Sequence, residues 1–317
     1  MTEAEIIQRF FQVPAQGSSD PDLLLGIGDD AAVIQIPEGQ QLVVSSDSMV
    51  IARHFVAETP AYDLGYKLVT VNVSDMAAMA ATPRWMTLNL SLDSVDEVWL
   101  KAFSEGLFAA AAHYGVTLVG GDVVHSTELN LGLQIMGTVV AGKLLQRSTA
   151  QIGDNIYVTG SLGLAASAVA CLKQHGNDHE KLTTAQSLAL YRPNINLEFA
   201  QDLVGLAHAA MDLSDGLLLD LQRLCAASQV GAVIQLEQLP SADSVDELMA
   251  LTGGEDYGLL FTAPTSIATG IDELATAYNC EVYRIGEILQ GKQISLLRKG
   301  QVEAMPTFLG FDHFACI

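Results

Sequence analysis

Five apolar runs in this chain each end in a step of small residues and a carboxylate. They are Gly28-Asp29-Asp30, Ser45-Ser46-Asp47, Val73-Ser74-Asp75, Gly120-Gly121-Asp122 and Asp212-Leu213-Ser214-Asp215-Gly216. The pattern constrains the fold, because small residues permit a sharp turn or close backbone approach and leave the acid at the mouth of a strand or helix. Carboxylates gathered at one place repel each other unless something positive lies between them. Hard oxygen donors of this kind suit Mg²⁺ or Ca²⁺ rather than zinc. The expectation is a metal-dependent enzyme that handles phosphates.

At 317 residues, two domains are expected, divided at 1–150 and 151–317. Half of the residues are hydrophobic and 16% are charged, so a large core is expected and disorder is not. No run of about 18 apolar residues marks a membrane helix. The start, MTEAEIIQRFF, has acids where a secretory leader would be basic, and the chain is expected to be cytoplasmic. Cys171, Cys225, Cys280 and Cys316 are scattered, with no CxxC, which fits a reduced compartment and excludes a cysteine-built zinc site. The net charge of −22, from 37 acids against 15 Lys and Arg, leaves no basic stripe for nucleic acid or an anionic membrane. Acidity by itself also serves solubility, so the placement of the acids carries the inference.

Residues 1–12 read as a short amphipathic helix with Ile6, Ile7, Phe10 and Phe11 on one side. AAVIQI and QLVVSSD read as strands around the turn Pro37-Glu38-Gly39. An Ala-rich helix is expected over 61–81, stopping before Pro83, then the strand WMTLNLSL and a helix over 95–114 closed by Gly115. VTLVGGD and NLGLQIMGTVVA complete a β-rich first half. The second half opens with a strand, a glycine turn and a helix (155–172), then a helical stretch over 183–206, AAMDLSDG and a helix over 217–228. GAVIQL, YGLLFTA and EVYRIGEI read as strands, with a helix over 266–278 before the last. Mixed strands and helices in both halves predict an α/β fold, with α+β layers in two domains.

Gly26-Ile27-Gly28-Asp29-Asp30-Ala31 matches a dinucleotide fingerprint only superficially, because a strand rather than a helix is expected after it. No GxxxxGK[ST] occurs. Asp212–Gly216 is not an EF-hand: its glycine is one position early, and Arg223 stands where that loop needs a glutamate. Asp215 sits where a helix cap is common, but capping does not account for Asp212 and Ser214 beside it. Asp75 lies among Val, Met and Ala, where an isolated buried carboxylate is costly; an Arg, a backbone amide or a metal would compensate it. Gly160-Ser161-Leu162-Gly163 is either an anion cradle or a tight turn. His54 and His113 are lone histidines, a pattern more often structural than catalytic.

Taken together, Gly26–Ala32, Ser46-Asp47, Asn72–Met79, Gly120-Gly121-Asp122, Asp212–Gly216, Gly253-Gly254-Glu255-Asp256-Tyr257 and Gly310-Phe311-Asp312-His313-Phe314 resemble the thiamine-monophosphate kinase family, in order and over nearly the whole chain. That family belongs to the superfamily of aminoimidazole ribonucleotide synthetase, selenophosphate synthetase and the hydrogenase-maturation dehydratase. The resemblance implies an aminoimidazole ribonucleotide synthetase-like fold whose N-terminal sheet pairs into a barrel in a homodimer. It implies ATP-dependent phosphorylation of thiamine monophosphate to the diphosphate. It also implies that Asp30, Ser45, Ser46, Asp47, Asp75, Asp122, Asp212 and Asp215 hold several Mg²⁺ ions, and that Asp30, Asp47, Asp75, Asp122 and Asp212 carry the catalysis. Gly121, Asp122, Arg147 and Ser214 would contact ATP; His54, Glu255 and Phe311 would contact thiamine monophosphate. Phe311 replaces an expected Tyr or Trp, keeping the ring face and losing its polar handle.

An acidic site handling two polyphosphates is consistent with metal bridging, which turns repulsion into a clamp. A phosphate monoester, with a second pKa of about 6, is mostly dianionic at pH 7 and needs no strong general base. Two rival readings remain at this level. Selenophosphate synthetase carries a reactive N-terminal Cys or selenocysteine, whereas the first Cys here is Cys171, and Cys316 lacks the C-terminal context of the hydrogenase-maturation sibling. A non-catalytic cation binder would need neither Arg147 nor the terminal aromatic segment.

Overall fold

Residues 40–50 and 130–140 form the longest strand pairing among the described residues. The computed structural model describes residues 1–15, 20–242, 245–312 and 314, so His313 and Cys316 lie outside the described residues. The chain divides into two units: Met1–Met76 with Ala81–Gly142, and Ala77–Ala80 with Lys143–Ile317.

In the first unit, β1 (Leu23–Leu25) pairs with β2 (Val33–Ile34). Strands β3 (Gln40–Val50), β4 (Thr82–Leu92), β5 (Thr117–His125) and β6 (Asn130–Val140) form a sheet in the order β3-β6-β4-β5. β3 and β6 run antiparallel from Gln40 opposite Val140 to Val50 opposite Asn130 without a slip. β5 joins β4 in parallel, and a register shift leaves Val119 as an extra residue, a bulge directly before Gly120-Gly121. Leu88, Leu90, Leu131, Leu133 and Ile135 are buried on one face of the sheet. The other face is open at Leu42 (47% exposed) and Val44 (51%). Helices Ala61–Ala78 and Glu97–Tyr114 cross backbone to backbone: a Cβ on Gly65 would strike the Phe103 carbonyl, and one on Gly106 the Tyr62 carbonyl.

In the second unit, β7 (Asp154–Thr159), β8 (Ala209–Asp212), β9 (Gly231–Gln235), β10 (Leu259–Pro264), β11 (Val282–Leu289), β12 (Ile294–Arg298) and β13 (Gln301–Glu303) form one sheet, in the order β13-β12-β9-β11-β7-β10-β8. Among the described residues of this sheet, only β9 and β12 pair in parallel. β7 is buried throughout and feeds both faces. Ile156 and Val158 join the core packed by Leu217, Leu218, Leu221 and Leu224 of helix Leu217–Ser228. Tyr157 stacks on Phe261 at 5.0 Å, with Phe199 edge-on to Phe261. Spacing of three and four residues puts those leucines on one helix face.

Several boundaries differ from the sequence reading, each for a local reason. The N-terminal helix forms and buries Ile6, Phe10 and Phe11, with a π-helical stretch over Ile7–Gln12. AAVIQI contributes only Val33–Ile34 as strand. The 61–81 helix ends at Ala78, where Ala80 turns to φ +55° and Ala81 N–H reaches back to the Met76 carbonyl. The 95–114 helix begins at Glu97, capped by Asp96. The 183–206 stretch is two helices, Thr184–Tyr191 and Leu197–Asp202, because Pro193 has no N–H to continue the first. YGLLFTA starts as strand at Leu259, since Tyr257 stands at φ +49°. Helix Glu247–Thr252 and strands β12 and β13 were not anticipated. Among the described residues, no helix is long and apolar enough to cross a membrane.

Candidate active site

In the first unit, three of the residues expected to bind metal, Ser45, Asp47 and Asp75, lie where β3 meets helix Ala61–Ala78. Ser45 Oγ donates to Asp75 Oδ2 at 2.6 Å, and the Asp47 N–H on the sheet edge donates to Asn72 Oδ1 at 3.2 Å. Asn72 is itself fixed by donating to the Leu68 carbonyl at 2.9 Å. Residues i and i+2 of a strand share a face, so Ser45 and Asp47 stand together with Asp75. Asp75 is only partly buried and accepts from a hydroxyl, which corrects the expectation of an isolated carboxylate enclosed among apolar residues.

Other first-unit residues lie elsewhere. The Ser46 side chain takes the opposite, exposed face of β3. Asp122 is exposed on β5 beside Asn89. Register places Asp122 level with Ser48, on that same outer face and on the far edge from β3. Three strand spacings make that roughly 14 Å along the sheet, too far for one small cation to join Asp47 and Asp122 of the same chain. Gly121, at φ +151°, has no room for a Cβ against the Leu88 carbonyl, which keeps the strand at this point bare. Asp29 and Asp30 are exposed after Gly28 (φ +126°), and Asp29 Oδ1 accepts the Asp30 N–H at 2.8 Å. His54 Nδ1 accepts the Val50 N–H at 2.9 Å, so the neutral ring carries its proton on Nε2.

In the second unit, three separate stretches are knitted onto the Asp212–Gly216 loop through main-chain bonds. The Leu213 carbonyl accepts Tyr257 N–H at 2.7 Å, the Ser214 carbonyl accepts Glu255 N–H at 2.8 Å, and the Asp215 carbonyl accepts Phe311 N–H at 2.8 Å. Gly254 and Gly310 permit these approaches, since a Cβ would lie 2.7 Å from the Ser214 carbonyl and 2.5 Å from that of Asp215. Glu255 and Tyr257 stand at φ +74° and +49°, strain that the bonded loop holds in place. Asp212, Ser214, Asp215, Glu255 and Phe311 are thereby brought into one construction. Asp212 ends β8 and is 8% exposed.

Asp220 was missed in the sequence and is the base of this loop. It is fully buried, and its Oδ2 accepts the N–H groups of Asp215 (3.0 Å) and Gly216 (3.1 Å). The cap of helix Leu217–Ser228 therefore comes from inside the helix, not from Asp215 as expected. Burial pushes the Asp220 carboxyl up to about 6, against the two backbone donors and Arg223. Arg223 Nη1 bridges Asp215 Oδ2 (2.5 Å) and Asp220 Oδ1 (2.8 Å). A carboxylate inside an apolar helix, the signal that singled out Asp75, also marks Asp220 in LLLDLQRL.

Arg147 is exposed, and its carbonyl accepts from Ser228 Oγ at 2.8 Å. The Gly160–Gly163 turn is not a vacant anion cradle, because both Asp256 oxygens take the Gly163 N–H at 3.0 Å. Burial pushes the Asp256 carboxyl up to about 8. A cavity of about 820 Å³ opens beside Gly160, Ser161, Arg192, Asp256 and Glu281. Among the described residues, no three His, Cys, Asp or Glu side chains form a preassembled metal-ligand group. Mg²⁺ commonly takes one or two carboxylates and completes its shell from water and substrate phosphates, so the hard-oxygen donors around Asp47 and Asp75 fit it without an all-protein cage.

Residues 28–141 match the AIR synthase related protein, N-terminal domain, and residues 151–299 match the AIR synthase related protein, C-terminal domain. The chain is 38% identical to the thiamine-monophosphate kinase of Salmonella typhimurium, covering 99% of this chain and 98% of that protein. Its fold is similar to the crystal structure of thiamine-monophosphate kinase from Stenotrophomonas maltophilia, with TM-score 0.85 and 38% identity over 96% of this chain and 98% of the other. A structure described as AaThiL complexed with AMPPCP and TMP is similar with TM-score 0.77 and 26% identity, over 91% and 92% of the two chains.

Proposed function

The chain belongs to the thiamine-monophosphate kinase family and catalyses ATP-dependent phosphorylation of thiamine monophosphate to thiamine diphosphate, and we propose that the γ-phosphate passes directly, in line, to the acceptor phosphate. Full-length similarity to these kinases carries the reading, and the AaThiL complex with AMPPCP and TMP supports both substrates. The step makes thiamine diphosphate, the end product of that biosynthesis.

Asp30, Ser45, Ser46, Asp47, Asp75 and Asp122 of the first unit, with Asp212 and Asp215 of the second, are assigned to Mg²⁺. The ion, when bound, supplies charge neutralisation between carboxylate and phosphate oxygens. Within the chain, Ser45 and Asn72 orient Asp75 and the Asp47 backbone. Asp220 holds the Asp212–Gly216 loop. Gly121, Asp122, Arg147 and Ser214 are assigned to ATP. His54, Glu255 and Phe311 are assigned to thiamine monophosphate, with Glu255 and the Phe311 ring complementing the thiazolium cation. The acceptor is already largely dianionic at pH 7, so no side chain has to remove a proton.

The second partner is another copy of the chain. Leu42, Val44 and Val140 leave the first unit's open face apolar, which suits closure of two sheets into a barrel. Asp122 is on this same face, so closure carries it toward the second copy. The first domain, 1–150, is assigned metal, ATP and dimer contacts; the second, 151–317, carries the substrate-contacting tail. The cytoplasm, where ATP is made, is the proposed location.

The test is an assay with MgATP and thiamine monophosphate, with free thiamine and Asp47→Asn alongside. Stoichiometric thiamine diphosphate and ADP from the monophosphate alone is expected. The variant should lose about 10²-fold or more in kcat, the scale of removing one electrostatic stabiliser. A stereochemically labelled γ-phosphate should emerge inverted; net retention would show a phosphoenzyme instead.

A further inference from the structure

Resting on the assignment of Asp215 to Mg²⁺, we propose that Arg223 is a built-in counter-cation. It holds the Asp215 carboxylate when the divalent ion is absent and surrenders it when the ion binds. One nitrogen, Nη1, serves both acids, with Asp220 Oδ1 at 2.8 Å and Asp215 Oδ2 at 2.5 Å.

The two halves of this bridge differ in exposure. The Asp220 side chain has no solvent access and its other oxygen is committed to the Asp215 and Gly216 N–H groups, so the Asp220–Arg223 half is an anchor. The Asp215 and Arg223 side chains are 25% and 41% exposed, so their half faces water and can exchange. The Asp215 backbone does not depend on that exchange, because its N–H is held by Asp220 and its carbonyl by Phe311. A cation arriving at Asp215 therefore meets a carboxylate already placed and already neutralised. In a chain with 37 acids and 15 Lys and Arg, that placement keeps the loop from opening by repulsion.

Such a counter-cation competes with the metal. A partly exposed ion pair corresponds to roughly a two- to fivefold effect on an equilibrium, so removing it should tighten the metal by about that factor. A residue that merely supported the fold would, on removal, loosen the metal instead. The direction of the change separates the two.

The experiment titrates Mn²⁺, as a spectroscopic stand-in for Mg²⁺, into the nucleotide-free full-length protein and reads the free ion by electron paramagnetic resonance. Arg223→Gln should bind the Asp215-dependent ion about two- to fivefold more tightly than wild type, and Arg223→Lys should bind it like wild type. Asp215→Asn should lose that ion. The melting temperature of Arg223→Gln should fall without Mn²⁺ and recover with it. Unchanged or weaker binding in Arg223→Gln, while Asp215→Asn still loses the ion, overturns the exchange and leaves the metal assignment standing. Wild-type binding in Asp215→Asn overturns both. Should the glutamine variant not fold, Arg223→Met, which keeps the aliphatic stem, gives the same readout.

Discussion

At the scale of single residues, acids of one type have been put to different uses by their surroundings. Asp75 and Asp47 keep partial access to solvent; a hydroxyl donates to the Asp75 carboxylate, and the Asn72 amide oxygen holds the Asp47 backbone N–H. Asp220 and Asp256 are turned inward onto backbone N–H groups at helix starts. Burial raises the Asp256 carboxyl to about 8, so the folded state holds that proton more tightly than the unfolded chain does. Its contribution to stability is then fully present below about pH 4 and is lost as pH rises through about 8. Asp256→Asn retains an acceptor for Gly163 and removes the titration. Its urea midpoint relative to wild type should therefore rise steadily between pH 5 and pH 8; parallel profiles would contradict the assignment. The neighbouring Glu255 and Asp220 charges add to the rise, so the difference reads Asp256 together with its coupling to them.

At the scale of elements, close backbone contacts position the site more than side-chain bulk does. The Gly65–Gly106 crossing sets how near helix Ala61–Ala78 lies to its neighbour, and that helix carries Asn72 and Asp75. Gly106→Ala would drive a methyl into the Tyr62 carbonyl, a backbone atom that cannot rotate aside. A loss of about 1–3 kcal/mol is expected, seen as a lower melting temperature, with activity per folded molecule reduced as Asp75 shifts. A variant as stable and active as wild type would mean that the helices can separate without consequence. Most elements were legible in the sequence, because period two in β4 and period 3.6 in 97–114 and 217–228 are local properties. Two of the errors fall where one residue overrides a pattern: Pro193 inside an otherwise helical run, and Tyr257 at positive φ before β10.

At the scale of the whole molecule, the open face of the first unit's sheet is the feature that asks for a partner. Leu42 and Val44 are apolar residues on a strand of a four-stranded sheet, yet are about half exposed. Val44→Asp should shift the proposed dimer to monomer in sedimentation at micromolar concentration; an unchanged dimer would place the interface elsewhere. The sequence by itself determined the two-domain α/β class, the family, and the acids at the ends of apolar runs. It could do so because periodicity, turn chemistry and motif order are written along the chain. Only the tertiary structure decided which of those acids share a place. Strand register puts Asp47 and Asp122 on opposite edges and faces of one sheet, and main-chain bonds between segments far apart in the chain bring Phe311 and Glu255 to the Asp212–Gly216 loop. The same holds for Asp220: helix propensity permits a carboxylate in a leucine-rich stretch. Only the loop folded over it, with two N–H groups facing inward, explains why that carboxylate is buried.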